Sequence, residues 1–137
     1  MQFHTGRLID HIHLRARTFA VTKRFYERVL GTLGISFTAS GQGWFQADEL
    51  FVDAADAHTI ASHIHLAFQA QSPEAVDAFY REAIAAGGTD NGRPGARHYH
   101  PGYYACFVLD PDGNNIEAVY HGPNTRSAAS VTITPQA

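Results

Sequence analysis

Between residues 22 and 33 the inward positions fall at i, i+3, i+4, i+7, i+8 and i+11, through Thr22, Phe25, Tyr26, Val29, Leu30 and Leu33. That spacing predicts a helix with one apolar stripe against a sheet, closed by Gly34. Ahead of it, residues 8–16 (LIDHIHLRA) are rich in branched and apolar residues with no breaker, and predict a first strand. Behind it, residues 35–39, 43–47 and 50–53 predict three short strands, parted by turns at Ser40-Gly41-Gln42 and Asp48-Glu49. Residues 54–62 are small and polar and serve as a link. A second helix is predicted from Ser72 as N-cap and Pro73 at the first position, with its stripe through Val76, Phe79, Tyr80, Ala83 and Ile84 and its stop at Gly87-Gly88. Gly88 to Arg97 reads as a loop. Tyr103 to Leu109 and Asn115 to Tyr120 then read as a hairpin about the turn Asp110-Pro111-Asp112-Gly113-Asn114, and Gly122 to Ala137 as a tail that frays or packs along a neighbour.

The order therefore repeats. A spacing of 54 residues carries His11 onto His65, Phe25-Tyr26 onto Phe79-Tyr80, Leu30 onto Ile84 and Gly34 onto Gly88. A spacing of 52 superposes the two His-Ile-His triplets at 11–13 and 63–65 but breaks the other matches, so 54 is the preferred register and His65 the counterpart of His11.

With 137 residues, 45% apolar and 17% charged, the chain suits one globular domain, and no run approaches the ~18 apolar residues of a membrane span. A net charge of −3 with a single lysine offers no cationic face for phosphate backbones, so neither nucleic acid nor a membrane is an expected partner. One cysteine and no leader pattern at the N-terminus point to the cytoplasm. The nine histidines are the anomaly, six of them in the pairs 11/13, 63/65 and 98/100.

In the last strand, Glu117 shares a face with Asn115 and Val119, while Ile116, Ala118 and Tyr120 point the other way. A carboxylate in an apolar strand needs water, an arginine or a metal as partner. A solvated strand Glu is the bland reading, as a satisfied core imidazole is for His11 or His65. The duplicated histidine position together with Glu117 favours metal.

Asp10-His11, Phe25-Tyr26 with Leu30 and Gly34, His65-Leu66-Ala67-Phe68, and Asp110-Pro111-Asp112-Gly113 followed by Ile116-Glu117 resemble the vicinal oxygen chelate superfamily. That is the group of glyoxalase I, extradiol dioxygenases and bleomycin-resistance proteins, and the resemblance covers residues 8 to 121. It implies an α+β fold of two tandem βαβββ modules forming one open, cleft-containing mixed β-barrel. Here that is a single domain over 1–137, with module one at 8–53, a linker at 54–62, module two at 63–121 and a tail at 122–137. It further implies His11, His65 and Glu117 as ligands of one divalent metal (Fe2+, Zn2+, Mn2+ or Ni2+). A 2-His-1-carboxylate face leaves positions open for a substrate that chelates through two oxygens. His13 and His63 are expected to line the site, with His63 an alternative to His65.

The dioxygenase pattern is met by His100, Asp110, Pro111, Gly113 and Glu117, but Cys106 replaces its apolar residue and Phe107 its acid/base tyrosine. Proton transfer would then fall to His100, ahead of His98, Tyr103 and Tyr104, since an unperturbed imidazole exchanges protons at neutral pH. Glyoxalase I adds a second carboxylate, for which Asp53 is the candidate, although a solvated strand-end Asp is the preferred reading. Expected is a metal-dependent dioxygenase-like or lyase-like enzyme for a small apolar or aromatic substrate, with a homodimer as an option. The alternatives are a metal-free binding protein of the bleomycin-resistance type and a catalytically silent relative kept for assembly.

Overall fold

The computed structural model describes residues 3–5 and 9–136, with side chains from residue 9 onward; Leu8, at the expected start of the first strand, and Ala137 lie outside them. Module one runs β2 (Ile12–Ala16), α1 (Phe19–Gly31), β3 (Ala39–Gly41), β4 (Trp44–Ala47) and β5 (Leu50–Ala54). Module two runs β6 (His65–Gln69), α2 (Pro73–Ala85), β7 (Thr89–Ala96), β8 (Tyr104–Leu109) and β9 (Asn115–Tyr120). Each module folds into one mixed four-stranded sheet, ordered β2-β5-β4-β3 and β6-β9-β8-β7. In each, the first strand lies parallel to the last, a pairing that only a crossover such as the helix can connect. The expected two-module fold is present, and the two sheets remain open and unjoined.

Both helices form where their stripes demand. α1 buries Thr22, Phe25, Tyr26, Val29 and Leu30; its closing turn ends at Gly34, whose φ of 75° suits glycine. α2 starts at Ser72, whose side chain accepts from Ala75 N at 3.1 Å, and buries Val76, Phe79 and Ala83. Ile84, expected in that stripe, is instead 38% exposed because it lies at the stripe's edge. The core is a single cluster that joins both stripes to the helix-facing side of the sheets, including Phe45, Val52, Cys106, Val108, Ile116 and Ala118. Fully burying a side chain such as Phe25, Phe45 or Phe79 stabilises the fold by ~1.5–3 kcal/mol, so this layer outweighs any single polar contact. Tyr26 reaches across from α1 to donate to Asp110 Oδ2 at 2.6 Å, and Arg28 Nε meets Glu82 at 2.9 Å, so the two modules are fastened helix to helix and helix to turn.

Three expectations need correction. The strand expected at 35–39 forms at Ala39–Gly41, because the chain leaving α1 first runs through residues 35–37 as a connector and meets the sheet at Thr38, whose N–H donates to Gln46 O at 2.8 Å. The segment expected to be a loop, Gly88 to Arg97, is mostly β7. Its glycines and asparagine are absorbed by shifts of register at Asp90/Gly92 and Gly92/Gly95 against β8. Within the tail, expected to fray or to pack along a neighbour, Val131–Ile133 instead form β10, paired antiparallel with β1 (Phe3–Thr5) of the same chain. Among the described residues no helix is long and apolar enough to cross a membrane.

Candidate functional site

The helix-facing side of each sheet is apolar, so the ionisable strand residues are left on the opposite, open side by alternation. On module two, Ile116 and Ala118 enter the core and Glu117 faces the other way, as the strand period requires. Glu117 is nevertheless only 3% exposed. Its burial is compensated on both oxygens: His65 Nε2 donates to Oε2 at 2.9 Å, and the Tyr103 hydroxyl donates to Oε1 at 2.5 Å. Burial first, and then the bond to Glu117, push the Tyr103 hydroxyl up to about 12, which makes it a hydrogen-bond donor and no base at neutral pH.

His65 meets Glu117 because of the turn that follows β8. Asp110 Oδ1 accepts from the backbone N–H groups of Asp112 and Asn114, each at 2.9 Å, closing the Asp-Pro-Asp-Gly turn. Asn114, 2% exposed, then uses its side-chain oxygen to accept from Ile64 N at 2.8 Å, one residue before His65. The start of β6 is thereby fixed against β9, with Ala67 opposite Glu117 in the ladder and His65 diagonal to it.

Module one carries the same arrangement. Asp53 stands opposite Arg15 in the β2–β5 ladder, and the histidine two residues earlier, His13, donates from Nε2 to Asp53 Oδ1 at 2.8 Å. Arg15 also approaches Oδ1, at 3.5 Å. His13, not His11, is therefore the counterpart of His65, and the strands repeat at a spacing of 52, while the helix N-caps Thr18 and Ser72 repeat at 54. Module two simply has two more residues between strand and helix. His11 precedes β2, is exposed, and bonds Asp10 at 2.7 Å. Asp53 is no solvated strand end: it is a partly buried carboxylate that a histidine holds by one oxygen.

The structure thus joins His65 to Glu117 and leaves His11 apart from them. Among the described residues no three His, Cys, Asp or Glu side chains converge closely enough to hold a metal ion. A metal site built from this chain has two donors here, His65 and Glu117, and needs a third from elsewhere. Of the expected proton-transfer residues, Tyr103 alone reaches the carboxylate. Tyr104 points through the sheet to α2, where Asp77 accepts from it at 2.7 Å, because neighbouring strand residues face opposite sides. His100 bonds His121 at 2.9 Å and meets Tyr103 only ring to ring at 5.2 Å, so it stands behind the tyrosine and not at Glu117. His98 lies on Tyr99, and His63 is exposed two residues before His65. Asn114, His121 and Arg15 were not singled out from the sequence. Applying one ladder register to both modules would have found His13 with Asp53; the His100–His121 contact joins two loops and left no signal.

Both open faces carry aromatic groups beside the pairs. Trp44 stacks on Phe51 at 5.8 Å, and Phe51 meets the His13 ring edge-on at 4.9 Å, beside a depression of about 360 Å³ that His11, His13 and Phe51 help to line. On module two, Phe107 lies opposite Glu117 in the β8–β9 ladder, under the Arg97 guanidinium at 5.5 Å.

Residues 8–118 match the model of the Glyoxalase/Bleomycin resistance protein/Dioxygenase superfamily. A glyoxalase/bleomycin resistance protein from Albidiferax ferrireducens is 32% identical, with a TM-score of 0.71 over 82% of this chain and 98% of its own. A glyoxalase/bleomycin resistance protein/dioxygenase family enzyme from Burkholderia phytofirmans shares the fold at 24% identity and a TM-score of 0.63, over 80% of this chain and 95% of its own. Lactoylglutathione lyase from Agrobacterium tumefaciens does so at 21% identity and 0.57, over 84% and 94%. No curated protein matches the sequence.

Proposed function

The chain belongs to the glyoxalase/bleomycin resistance protein/dioxygenase superfamily, and from that premise we propose that it is a metal-dependent enzyme of the lyase or isomerase kind, acting as a homodimer. The observation that carries this reading is the second histidine–carboxylate pair: a dioxygenase face needs one carboxylate, whereas here His13–Asp53 repeats His65–Glu117 at the same ladder position. One chain offers each pair on a separate open face, so two copies related by a twofold axis, module one to module two, would bring the pairs together twice. His65 and Glu117 of one copy would hold a divalent ion with His13 of the other as third donor. A neutral imidazole and an ionised carboxylate suit such an ion, provided His65 releases its Nε2 proton.

When bound, the ion supplies Lewis-acid polarisation of two neighbouring substrate oxygens. The protein's part is to orient and to move a proton. Asp53 binds His13 and Arg15 through Oδ1 and has no protein hydrogen bond at Oδ2 among the described residues, so Oδ2 is the free base for a proton on carbon beside a ligated carbonyl. Trp44, Phe51 and Phe107 favour a substrate with an apolar or aromatic part.

A second reading is favoured by one feature. Both carboxylates already hold protein donors, Glu117 on both oxygens and Asp53 on Oδ1, as a metal-free binding protein would have them. Metal content of the untagged protein separates the two, and a screen of hemithioacetals against catechols separates lyase from dioxygenase. Stoichiometric metal with hemithioacetal turnover is expected; metal with catechol cleavage alone would contradict the lyase assignment, and protein that takes up no metal would leave the binding-protein reading.

A further inference from the structure

We propose that the Arg97 guanidinium is a binding site for the carboxylate of a small aromatic acid, whose ring lies on Phe107 beside the His65–Glu117 pair. This rests on the functional reading above only so far as a small molecule occupies the open face of module two; no ion is needed. Phe107 and Glu117 are opposite one another in the β8–β9 ladder and so share that face, and the His65 ring stands 6.0 Å from Phe107. Arg97 directly follows β7, and its N–H donates to Tyr103 O at 2.9 Å. Its side chain turns back along the strand and brings the guanidinium to 5.5 Å from the centre of the Phe107 ring. Cation, ring and histidine–carboxylate pair thus form a row across the sheet order β7, β8, β9, β6.

This arginine is held without being neutralised. Nη2 donates to Arg93 O at 2.8 Å and Nη1 to Ala96 O at 3.3 Å, both carbonyls of its own strand. Among the described residues no Asp or Glu pairs with it, whereas Arg15 and Arg28 each have one, so the remaining N–H groups of the fork are free for an outside acceptor. Glu117, the acid on the same face, has given both oxygens to His65 and Tyr103. The strand beside the guanidinium has been cleared for it: a Cβ on Gly95 would stand 3.2 Å from Nη1, and one on Gly92 would stand 3.4 Å from Nη2 and 2.9 Å from Phe107. Glycine weakens a strand interior and marks a place of close approach. A planar fork of donors beside an aromatic face fits a carboxylate joined to a ring, since the carboxylate accepts two N–H groups side by side while the ring covers Phe107. One guanidinium matches one negative charge, a carboxylate in preference to a phosphate dianion.

The test is titration of the whole chain, metal-free and with chelator present, with benzoate and with its neutral analogue benzamide, in the wild type, Arg97→Gln, Arg93→Gln and Phe107→Leu. Arg93 is exposed and gives the site its backbone carbonyl, so its substitution removes the same charge without removing the fork. The wild type is expected to bind benzoate ~10-fold or more tightly than benzamide, and Arg97→Gln to weaken benzoate by ~10–100-fold with benzamide unchanged. Arg93→Gln should behave as the wild type, and Phe107→Leu should weaken both ligands by a similar factor. Should Arg97→Gln fail to fold, Arg97→Lys, which keeps the charge and loses the planar fork, is expected to weaken benzoate in the same direction by a smaller factor. A wild type that binds neither ligand, or both equally, overturns the proposal. So do wild-type benzoate affinity in Arg97→Gln or Arg97→Lys, an equal loss in Arg93→Gln, and unaltered binding in Phe107→Leu. Because no metal is present, each of these outcomes leaves the metal reading standing, and a protein that takes up no metal leaves this inference standing.

Discussion

Glu117 sits in a balance that a single substitution will expose. The carboxylate is buried yet satisfied on both oxygens, and the apolar core lies on the other face of its strand. Glu117→Ala should therefore abolish metal binding and cost ~1–3 kcal/mol from the orphaned Tyr103 hydroxyl, while unfolding remains a single cooperative transition. A calorimetric trace that loses its cooperative peak in this variant would make the site structural. Cys106 is a second residue whose environment decides its chemistry. It is fully buried against α2, and burial pushes its thiol up to about 11, so it stays protonated at mildly alkaline pH. Native protein should leave a disulfide reagent unreacted at pH 8 and react once unfolded; rapid labelling of the folded chain would contradict the burial. At this scale the meeting of His65 and Glu117 was legible from the strand period, although the repeat that singled out His65 matched it to His11 and not to His13. Tyr103 was legible only as a polar group near the hairpin, since the bond to Glu117 depends on how a loop closes over β9.

Among elements, the two modules keep different spacings in strand and helix. Sequence matching weighs the helices most, because they hold the longest pattern, and so the strand histidines were set two residues out of step. The physical signal was present in the parallel ladders: an acid on the last strand faces the histidine diagonal to it in both modules. The β7 strand was illegible for a different reason, since glycine and proline in a bulged edge strand carry the composition of a loop. The Asp-Pro-Asp-Gly turn was legible as a turn, but its further task was not. Through Asn114 it pins the start of β6. Asn114→Ala should cost ~1–3 kcal/mol from the freed Ile64 N–H and its other broken bonds, and should also weaken metal binding by letting His65 drift from Glu117. A variant with lowered melting temperature but unaltered metal affinity would show that β6 is placed without Asn114.

For the whole molecule, the organisation follows from two open sheets that each bear one histidine–carboxylate pair. Helix packing and the Tyr26–Asp110 bond join the modules, yet within one chain the two pairs do not meet in a three-donor cluster among the described residues. The central claim is that two copies complete each other, and one measurement tests it directly. His13→Ala and Glu117→Ala chains, each expected to bind metal poorly alone, are co-expressed and the bound metal is counted per chain. Random pairing makes half of the dimers mixed, each with one site whose two halves are intact, so the mixture should recover roughly a quarter of the wild-type metal. Recovery at that level is the predicted result; a co-expressed mixture that binds no more metal than either variant alone, with dimers formed, would contradict the account.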